Sequence, residues 1–101
     1  MTDILRPYIS LGREITRDDI RRTINAIANV PARFETWRLA SAILPETSDA
    51  TSSERMEALN RFMQRLRRAG LASFQNKKWT IKPQDWTKIQ QMVASSIGNP
   101  R

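Results

Sequence analysis

One segment constrains the fold more than any other, because it combines a capped amphipathic helix with an immediate helix stop. Thr51 and Glu54 have the spacing of a capping box, in which each side chain satisfies a backbone N–H of the other residue. Apolar residues follow at helical spacing, and they are Met56, Leu59, Phe62, Met63 and Leu66. Gly70 occupies the position of the left-handed residue in a Schellman motif. We therefore predict a helix over residues 52–69.

A β-hairpin pattern follows this helix without a linker. Strand-length runs flank Asn76 and Lys77, and asparagine tolerates the positive φ that a tight turn needs. Phe74 and Trp79 supply the aromatic side chains that are enriched in strands. We predict a hairpin over residues 71–82.

Two shorter helices precede this segment. Thr16 and Asp19 form a capping-box-like pair, and the apolar residues that follow at helical spacing are Ile20, Ile24 and Ile27. A second helix is predicted over residues 36–44, because Pro45 disfavours its continuation. Residues 34–35, just before it, are predicted to be extended.

The two ends of the chain are interpreted separately. Pro7 and Gly12 interrupt residues 1–15, which we interpret as an N-terminal arm packed on the body or on a partner subunit. Residues 16–82 form the predicted domain, and residues 83–101 hold a last helix. One apolar face of that helix either closes the core of one copy or forms a homodimer contact, which we favour; its residues are Trp86, Ile89, Val93 and Ile97.

The order of elements and the end of the long helix carry a family resemblance. The motif is Leu59-x-x-x-Met63-x-x-Leu66-x-x-x-Gly70-Leu71, followed at once by the hairpin. Over residues 16–82 the chain resembles the winged helix-turn-helix family of DNA-binding domains. The resemblance implies a mainly α fold with a small β-hairpin: a three-helix core, a wing at residues 71–82 and an additional C-terminal helix. The loop over residues 45–51 is longer than the tight turn usual in such motifs.

The resemblance also implies that helix 52–69 enters the major groove while hairpin 72–81 lies on the DNA backbone. The helix face opposite the apolar stripe offers groups that can contact base edges: Ser53, Glu57, Asn60, Arg61 and Gln64. Phosphate contacts are predicted for Arg38, Arg65, Arg68, Lys77 and Lys78. The alternatives are a solvated helix face for the base contacts and an ordinary exposed turn for the two lysines. Glu57 repels phosphate, so it either accepts a hydrogen bond from cytosine N4 or argues against deep insertion of the helix.

Charge is distributed unevenly along the 101 residues. The first 51 residues hold seven basic and seven acidic side chains, whereas the remaining residues hold ten basic and three acidic ones. The whole net charge of +7 therefore lies in the second half, which indicates an anionic partner, with nucleic acid ahead of a membrane surface. The alternative is a basic protein whose charge serves solubility alone.

Composition excludes much of enzyme chemistry. The chain has no cysteine and no histidine, so disulfides, thiolate zinc sites and histidine-dependent triads are ruled out. We predict no catalytic activity, no cofactor, no metal and no small-molecule ligand. The first residues do not show the basic region and apolar run of a targeting segment. No apolar run in the sequence approaches the roughly 20 residues of a membrane span. We expect a cytoplasmic protein that is associated with the nucleoid when it is bound to DNA.

The sequence thus predicts a small winged-helix protein that binds double-stranded DNA sequence-specifically and regulates transcription. A winged-helix adaptor that binds another protein is the alternative, and RNA binding is a lesser one, because fold alone does not settle function. Three tryptophans invite a base-stacking interpretation, but we expect them in the core: Trp37, Trp79 and Trp86.

Overall fold

Capping boxes begin the two longest helices of the first 70 residues, as the sequence predicts. In the computed structural model, which describes residues 3–45 and 49–98, Asp19 N–H donates to Thr16 Oγ1 at 3.1 Å, and Thr16 N–H donates to Asp19 Oδ2 at 2.9 Å. Glu54 and Thr51 repeat the exchange at 3.1 and 2.8 Å. Because each box satisfies two orphan N–H groups, both helices begin at a fixed residue.

The described residues form four α-helices, one 3₁₀ helix and five short strands, so helix dominates over small antiparallel sheets. The elements in chain order are β1 (Tyr8–Ser10), β2 (Arg13–Ile15), α1 (Arg17–Ile27), β3 (Arg33–Phe34), the 3₁₀ helix (Thr36–Leu39), α2 (Ala40–Ile43), α3 (Ser52–Arg68), β4 (Ser73–Gln75), β5 (Lys78–Thr80) and α4 (Pro83–Gly98). No helix in residues 3–45 and 49–98 has the length and hydropathy needed to cross a membrane.

Helix α3 ends in the predicted Schellman motif. Gly70 has a φ of 77°, and Leu71 N–H donates to the carbonyl of Leu66 at 2.9 Å. A second bond runs from Gly70 N–H to the carbonyl of Arg67 at 3.0 Å. This pair of bonds satisfies carbonyls at the helix end and turns the chain directly into β4.

The second predicted helix is shorter and less regular than expected, because a 3₁₀ turn occupies its first half. Its end is stabilised from both neighbouring helices. Arg22 of α1 donates from Nε to the carbonyl of Ala42 at 2.7 Å, and Arg55 of α3 donates from Nε to the carbonyl of Leu44 at 2.8 Å. These guanidinium groups satisfy carbonyls that a helix of four residues leaves without intrahelical partners.

A hairpin is confirmed within the predicted residues 71–82, although its strands are shorter than predicted and span Ser73–Gln75 and Lys78–Thr80. It belongs to a three-stranded antiparallel sheet. The strand order is β3-β5-β4, so the strand between α1 and the 3₁₀ helix pairs with the hairpin. Trp79 lies opposite Phe34 on one side and Phe74 on the other. Its buried indole N–H donates to Thr36 Oγ1 at 3.0 Å, which joins the sheet to the 3₁₀ helix.

A second hairpin forms within the N-terminal arm, where the sequence predicted no strands. Strands β1 and β2 pair antiparallel across a turn at Leu11 and Gly12. Tyr8 lies against α3 and donates from its hydroxyl to the carbonyl of Ala58 at 2.6 Å. Ile4 and Leu5, ahead of the hairpin, are both buried. Ile4, Leu5 and Ile15 therefore belong to the hydrophobic core, and Tyr8 packs against it.

Two expectations about the core are wrong. Met56, on the predicted apolar stripe of α3, is only partly buried, whereas Ala58, which the stripe did not include, is completely buried. Trp37, expected in the core, is 58% exposed on the 3₁₀ helix, whereas Trp79 is buried and Trp86 is half-buried. The irregular 3₁₀ geometry explains the error for Trp37, because a side chain there does not follow the α-helical period.

Candidate nucleic-acid interface

The outward face of α3 is one polar surface opposite the core. Asn60, Arg61 and Arg68 are exposed on it, and Ser53 is exposed in the first turn. Gln64 lies between them and is half-buried. The capping box and the Schellman motif fix both helix ends, so the amide and guanidinium groups of this face share a rigid support.

Glu57 is half-buried on the same face and is already partnered. Its carboxylate accepts from Arg61 Nε at 3.0 Å, one helical turn away. An ion pair with this spacing on a helix surface contributes only about 0.3–0.5 kcal/mol to stability. Either side chain can therefore leave the pair to contact a base edge or a phosphate at small cost. The pair also neutralises the carboxylate, which reduces the repulsion between Glu57 and a phosphate backbone.

Arg65 is held by the N-terminal arm. Its Nη1 donates to the carbonyl of Ile4 at 3.0 Å and to the carbonyl of Arg6 at 2.6 Å. Its guanidinium also lies 4.9 Å from the centre of the Tyr8 ring. Burial lowers the pKa of Arg65 and raises the pKa of the Tyr8 phenol, although the arginine charge opposes the second effect. Arg65, which is predicted to contact phosphate, thus joins α3 to the N-terminal arm through hydrogen bonds.

An open cleft of about 650 Å³ is lined by the arm on one side and by α3 on the other, and we call it the arm–α3 cleft. The arm contributes Asp3, Arg6, Tyr8 and Ile9, and α3 contributes Glu57, Asn60, Arg61, Gln64, Arg65, Arg68 and Ala69. Four of the five predicted base-contacting residues therefore line one feature of the surface. The arm side was not predicted from the sequence, because Arg6 is the single basic residue among the first 12.

The remaining predicted phosphate contacts lie elsewhere. Lys77 and Lys78 are exposed at the tip of the β4–β5 hairpin. Arg38 is exposed on the 3₁₀ helix, where its guanidinium lies 4.9 Å from the centre of the Trp37 ring. The structure thus presents the cleft, the hairpin tip and the Trp37–Arg38 pair as three distinct cationic features.

The predicted dimer face of α4 is largely used within the chain. Ile89 is completely buried, and Trp86 and Val93 are half-buried against the core. The side chain of Ile97 lies outside the described residues. The surface that this face leaves for a second copy is smaller than the sequence pattern suggests.

Comparison with known protein families, with curated proteins and with solved structures finds no match to this chain.

Proposed function

We propose that this chain is a winged-helix protein that binds double-stranded DNA in a sequence-dependent way and regulates transcription. In this proposal α3 enters the major groove and the β4–β5 hairpin contacts the backbone. The observation that carries the proposal is the outward face of α3, which presents Asn60, Arg61 and Gln64 from a helix fixed at both ends.

The sheet supports the winged-helix part of the proposal. A wing must be attached to the helical core, and here β5 pairs with β3 while the buried Trp79 anchors it to Thr36. The hairpin begins at Ser73, three residues after the Schellman glycine, so its orientation relative to α3 is constrained. A support of this kind allows helix and hairpin to contact one duplex together.

The side-chain chemistry supports the sequence dependence. Asn60 and Gln64 can each pair with the N6 and N7 groups of adenine, and Arg61 can donate two bonds to the O6 and N7 groups of guanine. Glu57 can accept from the N4 group of cytosine or keep its partner Arg61 in place. The two lysines at the hairpin tip add cations that bind any phosphate regardless of sequence.

Duplex selection tests the proposal. The protein is incubated with a randomised duplex pool at two salt concentrations, and the bound strands are recovered and sequenced. We expect an enriched motif and affinity that falls steeply with salt. Retention without enrichment would leave only a non-specific binder, and no retention at moderate salt would exclude DNA binding. Spaced half-sites in the motif would indicate a dimer on DNA.

Point variants then test the role of α3. Asn60→Ala and Arg61→Ala should each alter the preference at one or two base pairs and cost about 1–3 kcal/mol on the selected duplex. Lys88→Ala is the matched control, because it removes one exposed charge from α4, which does not line the arm–α3 cleft. Equal losses on every duplex for all three variants would contradict base contacts by α3.

An adaptor that binds another protein is the second candidate, and Trp37 favours it. Its indole is 58% exposed beside Arg38, and exposed tryptophan and arginine are enriched in the central residues of protein interfaces. The adaptor interpretation predicts that Trp37→Ala abolishes partner capture and leaves duplex binding unchanged.

A further inference from the structure

Arg6 is an exposed cation on a rigidly held piece of backbone. Leu5 before it is buried, and Tyr8 after it donates its hydroxyl to α3. The Arg6 carbonyl accepts from Arg65 at 2.6 Å. Its side chain therefore extends from a fixed point at the rim of the arm–α3 cleft, although the arm lies outside the segment that resembles a winged helix.

The cleft has an excess of uncompensated positive charge. Its two carboxylates are already paired: Asp3 with Arg17 at 2.9 Å, and Glu57 with Arg61 at 3.0 Å. Within the described part of the chain, Arg6 and Arg68 form no ion pair, and they stand on opposite walls. Burial is the main cause of the lowered pKa of Arg65, and the charge of Arg6 adds to it. An anion between the walls would relieve this repulsion.

The shape of the cleft fits a linear anion better than an enclosed small molecule. It is open and runs beside the outward face of α3, the face that would meet the bases. A helix in the major groove has a sugar-phosphate backbone along each flank. One guanidinium group can donate two parallel hydrogen bonds to the oxygens of a phosphate. A backbone beside α3 on the arm side would pass between Arg6 and Arg68.

We propose that the arm–α3 cleft receives a backbone phosphodiester of the duplex that α3 enters, held by Arg6 from the arm and Arg68 from the helix. Arg65 is the positioning residue, because it fixes the arm carbonyls and so sets the distance between the walls. This inference rests on the proposed function. It adds to the interface a segment that lies outside the predicted domain.

The test compares Arg6→Ala with Lys88→Ala, since both remove one exposed charge. Binding to the selected duplex and to a scrambled duplex is measured over a salt series, and unfolding of each variant is followed in denaturant. Arg6→Ala should weaken both duplexes by the same factor and lower the logarithmic salt slope by about one. Lys88→Ala should leave the slope unchanged, and neither exposed substitution should alter stability appreciably.

Neutral methylphosphonate linkages, introduced one at a time, then locate the phosphate. We expect one linkage beside the enriched motif to weaken binding of the original protein and to have no effect on Arg6→Ala. Binding of Arg65→Ala should no longer depend on that linkage, although Arg6 is still present. Binding of Arg65→Lys should depend on the linkage in part. A purely structural role for Arg65 would weaken binding without removing dependence on that particular linkage.

The two proposals fail in different ways. If the protein selects a motif but Arg6→Ala keeps the full salt slope and the linkage dependence, the cleft inference is wrong and the proposed function stands. If the protein retains no duplex, both are wrong. If inorganic phosphate alone binds in an Arg6-dependent manner while duplex binding is independent of Arg6, the cleft binds free phosphate and the backbone assignment is overturned.

Discussion

The two hairpins of this protein have the same backbone design. Each pairs two three-residue strands across a two-residue turn, and both turn residues have positive φ. The values are 51° and 80° at Leu11 and Gly12, and 53° and 63° at Asn76 and Lys77. Positive φ at both positions is the requirement of a type I′ turn, whose twist matches that of the strands it joins.

Their side chains differ completely. The β1–β2 hairpin is held by Tyr8 and the buried Ile15, and its turn presents Leu11, which is 57% exposed. The β4–β5 hairpin is held mainly by the buried Trp79, and its turn presents Lys77, next to the exposed Lys78 at the start of β5. One geometry thus serves to attach the arm to the core in one place and to present cations in the other. Backbone conformation alone does not indicate which hairpin contacts a partner.

Loss of the Trp79 anchor should have the largest effect. We expect Trp79→Ala to cost about 3–5 kcal/mol of unfolding free energy, because it removes a buried indole and leaves a cavity. Denaturant unfolding followed by circular dichroism measures it. Phe74→Ala in the paired strand is the control, since Phe74 is 39% exposed, and it should cost much less. Equal costs would mean that the hairpin is not anchored through Trp79.

Alkaline pH should weaken the other anchor. Burial raises the pKa of Tyr8 above its ordinary 10.0, so the unfolded chain releases this proton first as pH rises. The stability associated with the protonated phenol is complete below pH 10.0 and is lost above it, by up to about 1.4 kcal/mol per pH unit.

The single tyrosine makes this loss directly observable. We expect phenolate absorbance to appear together with the loss of helical circular dichroism. In Tyr8→Phe, stability should fall less steeply with rising pH, because the titrating phenol is gone. A normal phenolate titration in a protein that keeps its helical signal would contradict the burial of Tyr8.

Gly12→Ala tests the turn of the first hairpin. No atom outside the adjacent residues lies within 4 Å of the added Cβ, so only the backbone strain at a φ of 80° opposes it. We expect a loss of about 1–2 kcal/mol in denaturant unfolding. A neutral result would mean that the turn relaxes out of the positive-φ region.

Lys77→Gly is the opposite experiment in the second hairpin. Glycine relieves the strain at a φ of 63°, and we expect a gain of about 0.5–1 kcal/mol in stability. The same change removes a cation, so affinity for every duplex should fall and the salt slope should decrease by about one. Lys77→Ala should lower the slope equally without the gain. Loss of both stability and binding in Lys77→Gly would contradict the turn assignment.

The sequence predicts the features whose signals are local. Thr51, Glu54 and Gly70 lie within one helix length, and Asn76 indicates a turn. The bounds of α3 are therefore predicted to within one residue, and those of the hairpin to within two residues at each end. The first hairpin is missed because Leu11 is an unusual residue at positive φ.

The arm side of the cleft is missed for a different reason. Arg65 reaches the carbonyl of Ile4 across 61 residues, and no periodicity encodes such a contact. The helical period places Arg65 on the flank of α3, but it gives no indication that an arm covers that flank. Local patterns therefore predict the α3 wall of the cleft and not the opposite one.

The hydrogen bonds between the arm and α3 can form only late in the synthesis of the chain. The partners of Tyr8, Arg6 and Ile4 follow them by 50, 59 and 61 residues. At about 5–20 residues per second of synthesis, the ribosome adds the intervening chain in roughly 3 to 12 s. During that interval the arm lacks its hydrogen-bond partners in α3. Nascent chains of this protein should therefore bind chaperones through residues 4–15 and release them only once α3 has emerged.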